Sequence, residues 1–287
     1  MDAIFEKIKG TEDLPTLPVV AMEALNLAHS PNVTINKLSE VIHRDPPLAA
    51  KVLKMANSAF YRRGEKAIET VQWAITVLGL NEIVNITSSI SVLTSFTSEK
   101  GYIWETFWYH CVATAIVARS MAHKLRMDTS GREFVGGLLH DLGKLVLDYY
   151  FRADFSKALD QSIEKDCPLH EAEQRILGTT HMEVGHYVAQ KWNLPDYLID
   201  IIRWHHAPQH AQHQVITALI SIADLLAKAK ELSYGGDRMS FILSDQEGWK
   251  ILNDKGYPMD DLDLERITFE MDDLSDKVRE YITTVTD

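Results

Sequence analysis

A histidine and an aspartate stand side by side in an apolar stretch of the chain, at His140 and Asp141. The stretch reads GGLLHDLGKLVLDY from Gly136 to Tyr149, and most of its other members favour burial. A buried carboxylate must be paired, hydrogen-bonded or bound to a metal, because an isolated charge is costly to remove from water. The two side chains are therefore candidates for metal chemistry. Alternatively, Asp141 caps the helix that begins near Leu142, and His140 closes the preceding helix.

Other residues with nitrogen or oxygen ligand atoms lie on, or at the ends of, successive helices predicted from the pattern of apolar residues. These residues are His110, His181, His205, His206 and Asp224. Imidazole and carboxylate ligands without a thiolate suit iron, manganese, zinc or nickel in a hydrolytic site. Because one carboxylate can bridge two ions, the sequence predicts one or two divalent ions, which would activate a water molecule as the nucleophile.

Each ligand candidate also has an ordinary structural explanation when it is taken alone. His110 would be a histidine at the edge of the core with a single hydrogen bond. Asp224 would form an exposed ion pair with Lys228, one helical turn later.

Helices are the elements that must position these residues. In the first part of the chain Pro18 opens a helix, Thr34 and Asp45 are N-cap candidates, and Gly79 ends a helix as a left-handed cap would. A run of hydroxyl and polar side chains follows at Thr87–Ser91. We expect those hydroxyl groups to bond back to the preceding turn or to face solvent, rather than to form a binding surface.

The second part of the chain follows a polar break at Thr97–Gly101, and a helix with aromatic residues comes first. Thr180 is predicted to cap the helix His181–Lys191, in which Gly185 would allow another backbone to approach closely. Ser233–Ser240 is predicted to be a loop, and Asp260–Tyr281 to form two short, solvated helices. No strand pair is predicted, so the fold class is all-α.

Composition and charge limit the classes of function. The 287 residues are 46% hydrophobic and 24% charged, which is typical of a soluble globular protein. A net charge of −12 opposes binding to DNA, RNA or anionic membranes. No stretch of about 18 apolar residues and no signal-like N-terminus occur, so we expect a cytoplasmic protein without a membrane role. Cys111 and Cys167 are expected to be reduced.

The order of the ligand candidates (His, His-Asp, His, His-His, Asp) resembles the metal-binding pattern of the HD superfamily of phosphohydrolases, most closely its binuclear HD-GYP branch. In that branch a lysine contacts substrate phosphate, and Lys144 occupies its place. The earlier segments LPTLPVV, IHRDPPLAAKVLKMANSAFY and AITVLGLNEI resemble the HDOD family, an HD-related output domain of bacterial signalling. With HMEVGHYVAQKWNLPDYLIDIIRWHH this resemblance extends over about Leu14–Leu232.

The resemblance implies two helical subdomains, with the C-terminal one HD-domain-like. We therefore predict an N-terminal subdomain over residues 1–98, the HD-like subdomain with the metal site over 99–232, and an acidic helical extension over 233–287. It further implies a bacterial regulatory protein that keeps a metal site and acts on a signalling partner. The alternative is a metal-dependent phosphohydrolase, a phosphodiesterase or phosphatase for a nucleotide or phosphate ester, in which Asp141 and Lys144 are the catalytic residues.

Three departures from the HD-GYP pattern weigh against a cyclic-dinucleotide phosphodiesterase, and the third of them is a longer segment between Asp141 and His181. The glutamate that the HD-GYP enzymes can place one turn before the first histidine is Thr106 here. After His205 and His206 the chain reads APQHAQHQ, without a Gly-Tyr-Pro loop. The first departure argues against a full metal complement, and the second removes the usual substrate loop.

Overall fold

The structure is a computed structural model that describes residues 4, 6, 8, 18–28, 30, 32–61, 66–95, 104–229, 242–263, 267 and 274–286. All regular secondary structure within these residues is helical, and no strand occurs among them, so the predicted all-α fold is confirmed. The predicted polar break Thr97–Gly101 and the predicted loop Ser233–Ser240 lie outside the described residues.

The chain forms two compact units, which we call the small unit (residues 15–98 and 276–287) and the large unit (residues 1–14 and 99–275). The first helices of the small unit are α1 Val19–Ala28, α2 Ile35–His43, α3 Pro46–Ala56, α4 Val71–Leu78 and α5 Leu80–Ser95.

Local capping sets the starts of the helices in the small unit. The side chains of Thr34 and Asp45 accept hydrogen bonds from backbone N–H groups three residues later, as predicted, at 3.2 and 3.1 Å. Gly79 ends α4 with φ 96° and ψ 157°, so its φ is positive, but its conformation is not the predicted left-handed helical one. Glycine suits this position because residues that carry a side chain rarely adopt a positive φ.

The polar run in α5 behaves as predicted in part. Thr87 and Ser89 donate their hydroxyl groups to the carbonyl oxygens four residues earlier, each at 2.7 Å. None of the residues from Thr87 to Ser91 faces solvent, however, because the whole run is buried. Of the two predicted alternatives, bonding back to the preceding turn is therefore confirmed for Thr87 and Ser89, whereas exposure to solvent is wrong, since α5 is a core helix.

The next eight helices of the described residues lie in the large unit. They are α6 Trp104–Lys124, α7 Arg132–Leu139, α8 Leu142–Lys165, α9 Leu169–Leu177, α10 His181–Lys191, α11 Asp196–Trp204, α12 Gln214–Ala229 and α13 Glu247–Asp254. Short 3-10 turns occur at Pro208–His210, Leu243–Asp245 and Met259–Asp261.

Two predictions about α10 are confirmed. The Thr180 side chain accepts a hydrogen bond from the Glu183 N–H at 3.3 Å and caps the helix. Gly185 lies against Gly143, the second residue of α8: a Cβ atom on Gly185 would be 3.1 Å from the Gly143 nitrogen. This contact between glycines lets α8 and α10 approach backbone to backbone.

The last helix, α14 Leu274–Thr286, packs in the small unit although it lies far along the chain. Lys51 donates a hydrogen bond to the Val285 carbonyl oxygen at 2.9 Å, and the Phe60 and Tyr281 rings lie 5.3 Å apart. The predicted solvation of this segment is wrong for α14, because Val278 and Tyr281 are fully buried. Each compact unit therefore contains segments that are far apart along the chain. The predicted domains 1–98, 99–232 and 233–287 remain a prediction.

None of the helices in the described ranges is by itself long and apolar enough to cross a membrane. One pair, Val71–Leu78 with Leu80–Thr94, passes the criteria of length and composition together, but it is bent by 120°.

Candidate metal centre

The ends of helices α7 and α8 place the His-Asp dipeptide inside the large unit. His140 follows the last residue of α7, and Asp141 occupies the N-cap position of α8. The Asp141 side chain makes no capping hydrogen bond. The capping explanation for Asp141 is therefore wrong, and its carboxylate is directed at other groups.

The structure brings all the predicted ligand residues into two adjacent groups. Ligand atoms within each group lie within 4.8 Å of one another. Group A consists of Asp141, His181, His205 and His206, and group B of His110, His140 and Asp224. Except for His206, which is half-buried, each of these residues is at most 1% exposed.

The Asp141 carboxylate lies between the two groups. Its Oδ1 atom is 3.3 Å from His181 Nε2 and 3.4 Å from His205 Nε2, both in group A. Its Oδ2 atom is 3.2 Å from His140 Nε2 and 3.5 Å from His110 Nε2, both in group B. One oxygen thus faces each group, which is the arrangement of a bridging carboxylate.

Two lysines reach the carboxylates of the centre. Lys144 Nζ lies 2.7 Å from Asp141 Oδ2, and Lys228 Nζ lies 2.8 Å from Asp224 Oδ2. The predicted pair between Asp224 and Lys228 therefore exists, but its predicted exposure is wrong: the two side chains are 1% and 4% exposed. The other carboxylate oxygen, Asp224 Oδ1, lies 2.9 Å from His110 Nε2.

Fixed acceptors orient three of the histidine rings through Nδ1. His140 Nδ1 lies 2.7 Å from the Gly137 carbonyl oxygen, and His205 Nδ1 lies 3.1 Å from the Ile201 carbonyl oxygen. The corresponding partner of His181 is a Glu173 carboxylate oxygen at 2.8 Å. Because each partner accepts, Nδ1 is the donor, and Nε2 is directed at Asp141, as in metal-ligating histidines.

Neighbouring charges and burial perturb the ionisable groups of the centre. Burial disfavours the charged carboxylate of Asp141, but His140 and Lys144 outweigh it and hold the pKa of Asp141 well below its usual range. Lys228 and His110 likewise outweigh burial and lower the pKa of Asp224. The two carboxylates are therefore ionised at neutral pH.

Burial and neighbouring charges also shift the pKa values of the histidines, in opposite directions. Burial disfavours the charged form of His140, but Asp141 and then Asp224 outweigh it and raise the pKa of His140 to about 9. Burial dominates at His205 and lowers its pKa to about 4. Burial, with the adjacent His205 and then Lys228, also lowers the pKa of His206. His205 and His206 are thus neutral imidazoles at pH 7, the form that binds metal.

Buried ligand atoms without hydrogen bonds show that the residues fit a metal. Among the described residues, the atoms that are buried and lack a hydrogen-bond partner include His110 Nδ1, Asp141 Oδ1 and the Nε2 atoms of His140, His181, His205 and His206. Unsatisfied buried polar groups are uncommon and costly. Divalent ions bound to the two groups would satisfy these atoms, and the nitrogen and oxygen donor set is one that such ions accept.

Two functional candidates were missed from the sequence. Glu173, on α9, holds His181, and Lys228 contributes an ammonium group to the buried centre instead of the surface. The position of Glu173, one helix before His181, matches no spacing rule, because the contact depends on how α9 packs beside α10. For Lys228 the spacing to Asp224 was a usable signal, but it does not reveal burial.

The fold and the site together define an all-helical protein with a buried histidine–aspartate centre. A family model of the HDOD domain matches residues 14–208, and the chain therefore belongs to the HDOD family. An HDOD domain protein of unknown function from Geobacter sulfurreducens has a similar structure: the TM-score is 0.85 at 24% identity, over 98% of this chain and 96% of that one. A candidate phosphohydrolase from Shewanella amazonensis gives a TM-score of 0.73 at 21% identity, over 99% and 98%. At these identities the likeness is one of fold.

A curated relative comes from Treponema pallidum, an uncharacterised protein that is 26% identical over 215 residues. That match covers 74% of this chain and 41% of the relative. The chain spans about two fifths of the length of the curated relatives that it matches.

Proposed function

We propose that the chain is a metal-binding signal-transduction protein of the HDOD type, whose centre holds one or two divalent ions. The convergence of buried imidazole and carboxylate atoms that lack hydrogen bonds carries this proposal. Iron, manganese, zinc and nickel suit such ligands. A signalling protein as partner, and a nucleotide or phosphate as ligand, belong to the same proposal.

The burial of the centre supports a regulatory role for the ions. The ligand residues come from α6, α10, α12 and the ends of α7 and α11, so a shared ion would tie these helices together. An ion that binds only the folded state stabilises it, by about 2.7 kcal/mol when its concentration is a hundred times its dissociation constant. The stability of the large unit would thereby depend on whether metal ions occupy the centre. A signalling protein can use such a dependence as a response.

Thermal unfolding with and without a chelator tests this proposal. We expect chelation to lower the melting temperature and added manganese or zinc to restore it. A His205→Ala variant should lose most of this response, and His213→Ala, which removes an exposed ring, should keep it. A melting temperature that responds to neither chelator nor metal would contradict the proposal.

A metal-dependent phosphohydrolase is the second candidate, and the position of Lys144 favours it. Its ammonium group is buried at the centre, 2.7 Å from the oxygen of Asp141 that faces group B. Bound ions supply Lewis-acid polarisation and a nucleophilic water at neutral pH. Asp141 would orient the ligand set from between the two groups, and Lys144 would hold a phosphate oxygen and neutralise its charge.

Turnover by the metal-loaded protein tests the second candidate. Aryl phosphates and cyclic nucleotides are suitable probes of phosphatase and phosphodiesterase activity. We expect His140→Ala to abolish any activity that belongs to the centre, and Lys157→Met, which removes an exposed ammonium group on α8, to retain it. No turnover of either substrate class by the parent would exclude this candidate and leave the regulatory one.

A further inference from the structure

The two ligand groups differ in their charged neighbours. Lys144 is paired with Asp141 Oδ2, the oxygen that faces His110 and His140 of group B. Lys228 is paired with Asp224, which itself belongs to group B. Both lysine side chains are buried, with 3% and 4% exposed. In the part of the chain that the structure describes, no lysine or arginine forms an ion pair with Asp141 Oδ1, the oxygen that faces group A.

The histidines of group A are also better prepared to bind a cation. His181 is held by Glu173 and His205 by the Ile201 carbonyl oxygen, and in each ring Nε2 is left directed at Asp141 Oδ1. In group B, the Gly137 carbonyl oxygen orients His140 in the same way, but Nδ1 of His110 has no hydrogen-bond partner among the described residues, and its Nε2 lies 2.9 Å from Asp224 Oδ1. A cation that enters group A therefore meets two oriented rings, whereas one that enters group B meets one oriented ring and two ammonium groups.

Charge balance indicates what would accompany an ion in group B. The carboxylates of Asp141 and Asp224 are formally cancelled by the ammonium groups of Lys144 and Lys228. Glu173 adds one negative charge beside group A, but no described ion pair adds one beside group B. Unlike charges attract strongly in a buried site, so an oxyanion beside the two lysines would compensate an ion there.

We propose that the two groups are unequal: group A holds the first ion, and group B takes a second ion together with a phosphate-type oxyanion that contacts Lys144 and Lys228. This inference rests on the proposed metal centre and deepens it. Lys228 is then a second anion-binding lysine, and the affinity of group B for metal depends on the anion.

Titration of the metal-free protein with Mn²⁺, with and without inorganic phosphate, tests the inference. Without phosphate we expect a tight first step and a second step at least about tenfold weaker, because like charges repel in a buried site. Phosphate should strengthen the second step by about tenfold and leave the first unchanged. Two equal steps, or a second step that ignores phosphate, would overturn the inference, whereas no bound ion at all would overturn the proposed function itself.

Variants assign the steps to the groups. His205→Ala should lose the tight step, and His110→Ala should keep it. Lys228→Met should strengthen the second step in the absence of phosphate and abolish the phosphate effect, while Lys228→Arg should behave as the parent does. Lys157→Met is the matched control for the loss of a positive charge. If Lys228→Met retained the phosphate effect, or His205→Ala retained the tight step, the assignment of the steps to the groups would be wrong. If Lys228→Met does not fold, the parent, Lys228→Arg and the histidine variants still test this assignment.

Discussion

The carboxylate of Glu173 accepts two hydrogen bonds from His181, one from the backbone N–H and one from ring Nδ1, each 2.8 Å long. Both side chains are fully buried. The first N–H groups of a helix have no partner within the helix, so Glu173 satisfies the start of α10 and orients a ligand candidate at the same time. It therefore couples the folding of α10 to the geometry of the centre.

Replacement of Glu173 should weaken metal binding at group A. We expect Glu173→Gln to lower the affinity for the first ion by about 10- to 100-fold, as for other carboxylates that orient a ligating histidine. Competition with a chromophoric chelator measures this affinity. The control is Glu171→Gln on the same helix, which removes an exposed pair with Arg175. Equal affinities in Glu173→Gln and the parent would contradict the role of Glu173.

The contact between α8 and α10 should tolerate no side chain at Gly143. A Cβ atom there would overlap the His181 carbonyl oxygen and lie 2.8 Å from the Gly185 nitrogen. Because backbone atoms cannot move aside as a side chain can, we expect Gly143→Ala to lower the free energy of unfolding by about 3 kcal/mol and to reduce bound metal.

Gly136→Ala provides the comparison for Gly143→Ala. Its Cβ atom would meet the Ile201 and Ile220 side chains, which can shift, at 2.7 and 3.3 Å. We expect a loss of about 1 kcal/mol in chemical denaturation. If Gly143→Ala were as stable as Gly136→Ala, α8 and α10 would not be in backbone contact.

Asp148 should make the stability of the protein depend on pH. Burial raises the pKa of this carboxyl group, and Arg152 offsets only part of that effect. The folded protein therefore binds the proton more tightly than the unfolded chain, so the contribution of Asp148 to stability is present below its ordinary pKa of 3.8 and is lost as the pH rises through the folded value. Asp148→Asn avoids that loss.

The free energy of unfolding of Asp148→Asn, relative to the parent, should consequently increase between about pH 4 and pH 7. Urea denaturation over this range measures it. Asp154→Asn, at an exposed position of the same helix, is the matched control for the loss of a carboxylate. A pH-independent difference between Asp148→Asn and the parent would contradict the raised pKa.

The two thiols should differ in reactivity. Cys111 is fully buried beside His110, and burial, followed by the charge of Asp141, raises the pKa of its thiol. Cys167 is half-buried. Since the thiolate is the reactive form, we expect iodoacetamide to label Cys167 in the native protein and Cys111 only after unfolding, as counted by mass spectrometry. Native labelling of a Cys167→Ser variant would show that Cys111 is accessible.

Local features of the fold could be predicted from the sequence, because they depend on a few neighbouring residues. The caps at Thr34, Asp45 and Thr180 depend on one side chain and one N–H group a turn later, and they were found where expected. The convergence of the ligand residues was predicted from their order along the chain and from a family resemblance. Their division into two groups around Asp141 required coordinates.

Features that depend on packing between distant segments could not be predicted. Lys228 and the hydroxyl run in α5 are buried because other segments pack over these helices. The spacing of apolar residues within one helix does not reveal which segments pack over it. The burial of α14 follows from its packing beside residues such as Phe60, more than two hundred positions earlier. The orientation of His181 by Glu173 likewise exists only once α9 and α10 are assembled.

The most direct test of the metal centre is elemental analysis of the purified protein beside Asp141→Ala and Asp224→Ala variants, with the metal ions counted per chain. Because Asp141 faces both groups, we expect about two ions in the parent and none in Asp141→Ala. Asp224 belongs to group B alone, so Asp224→Ala should retain about one ion. Absence of metal from the parent after growth and reconstitution with iron, manganese, zinc or nickel would contradict the account, as would an unchanged ion count in Asp141→Ala.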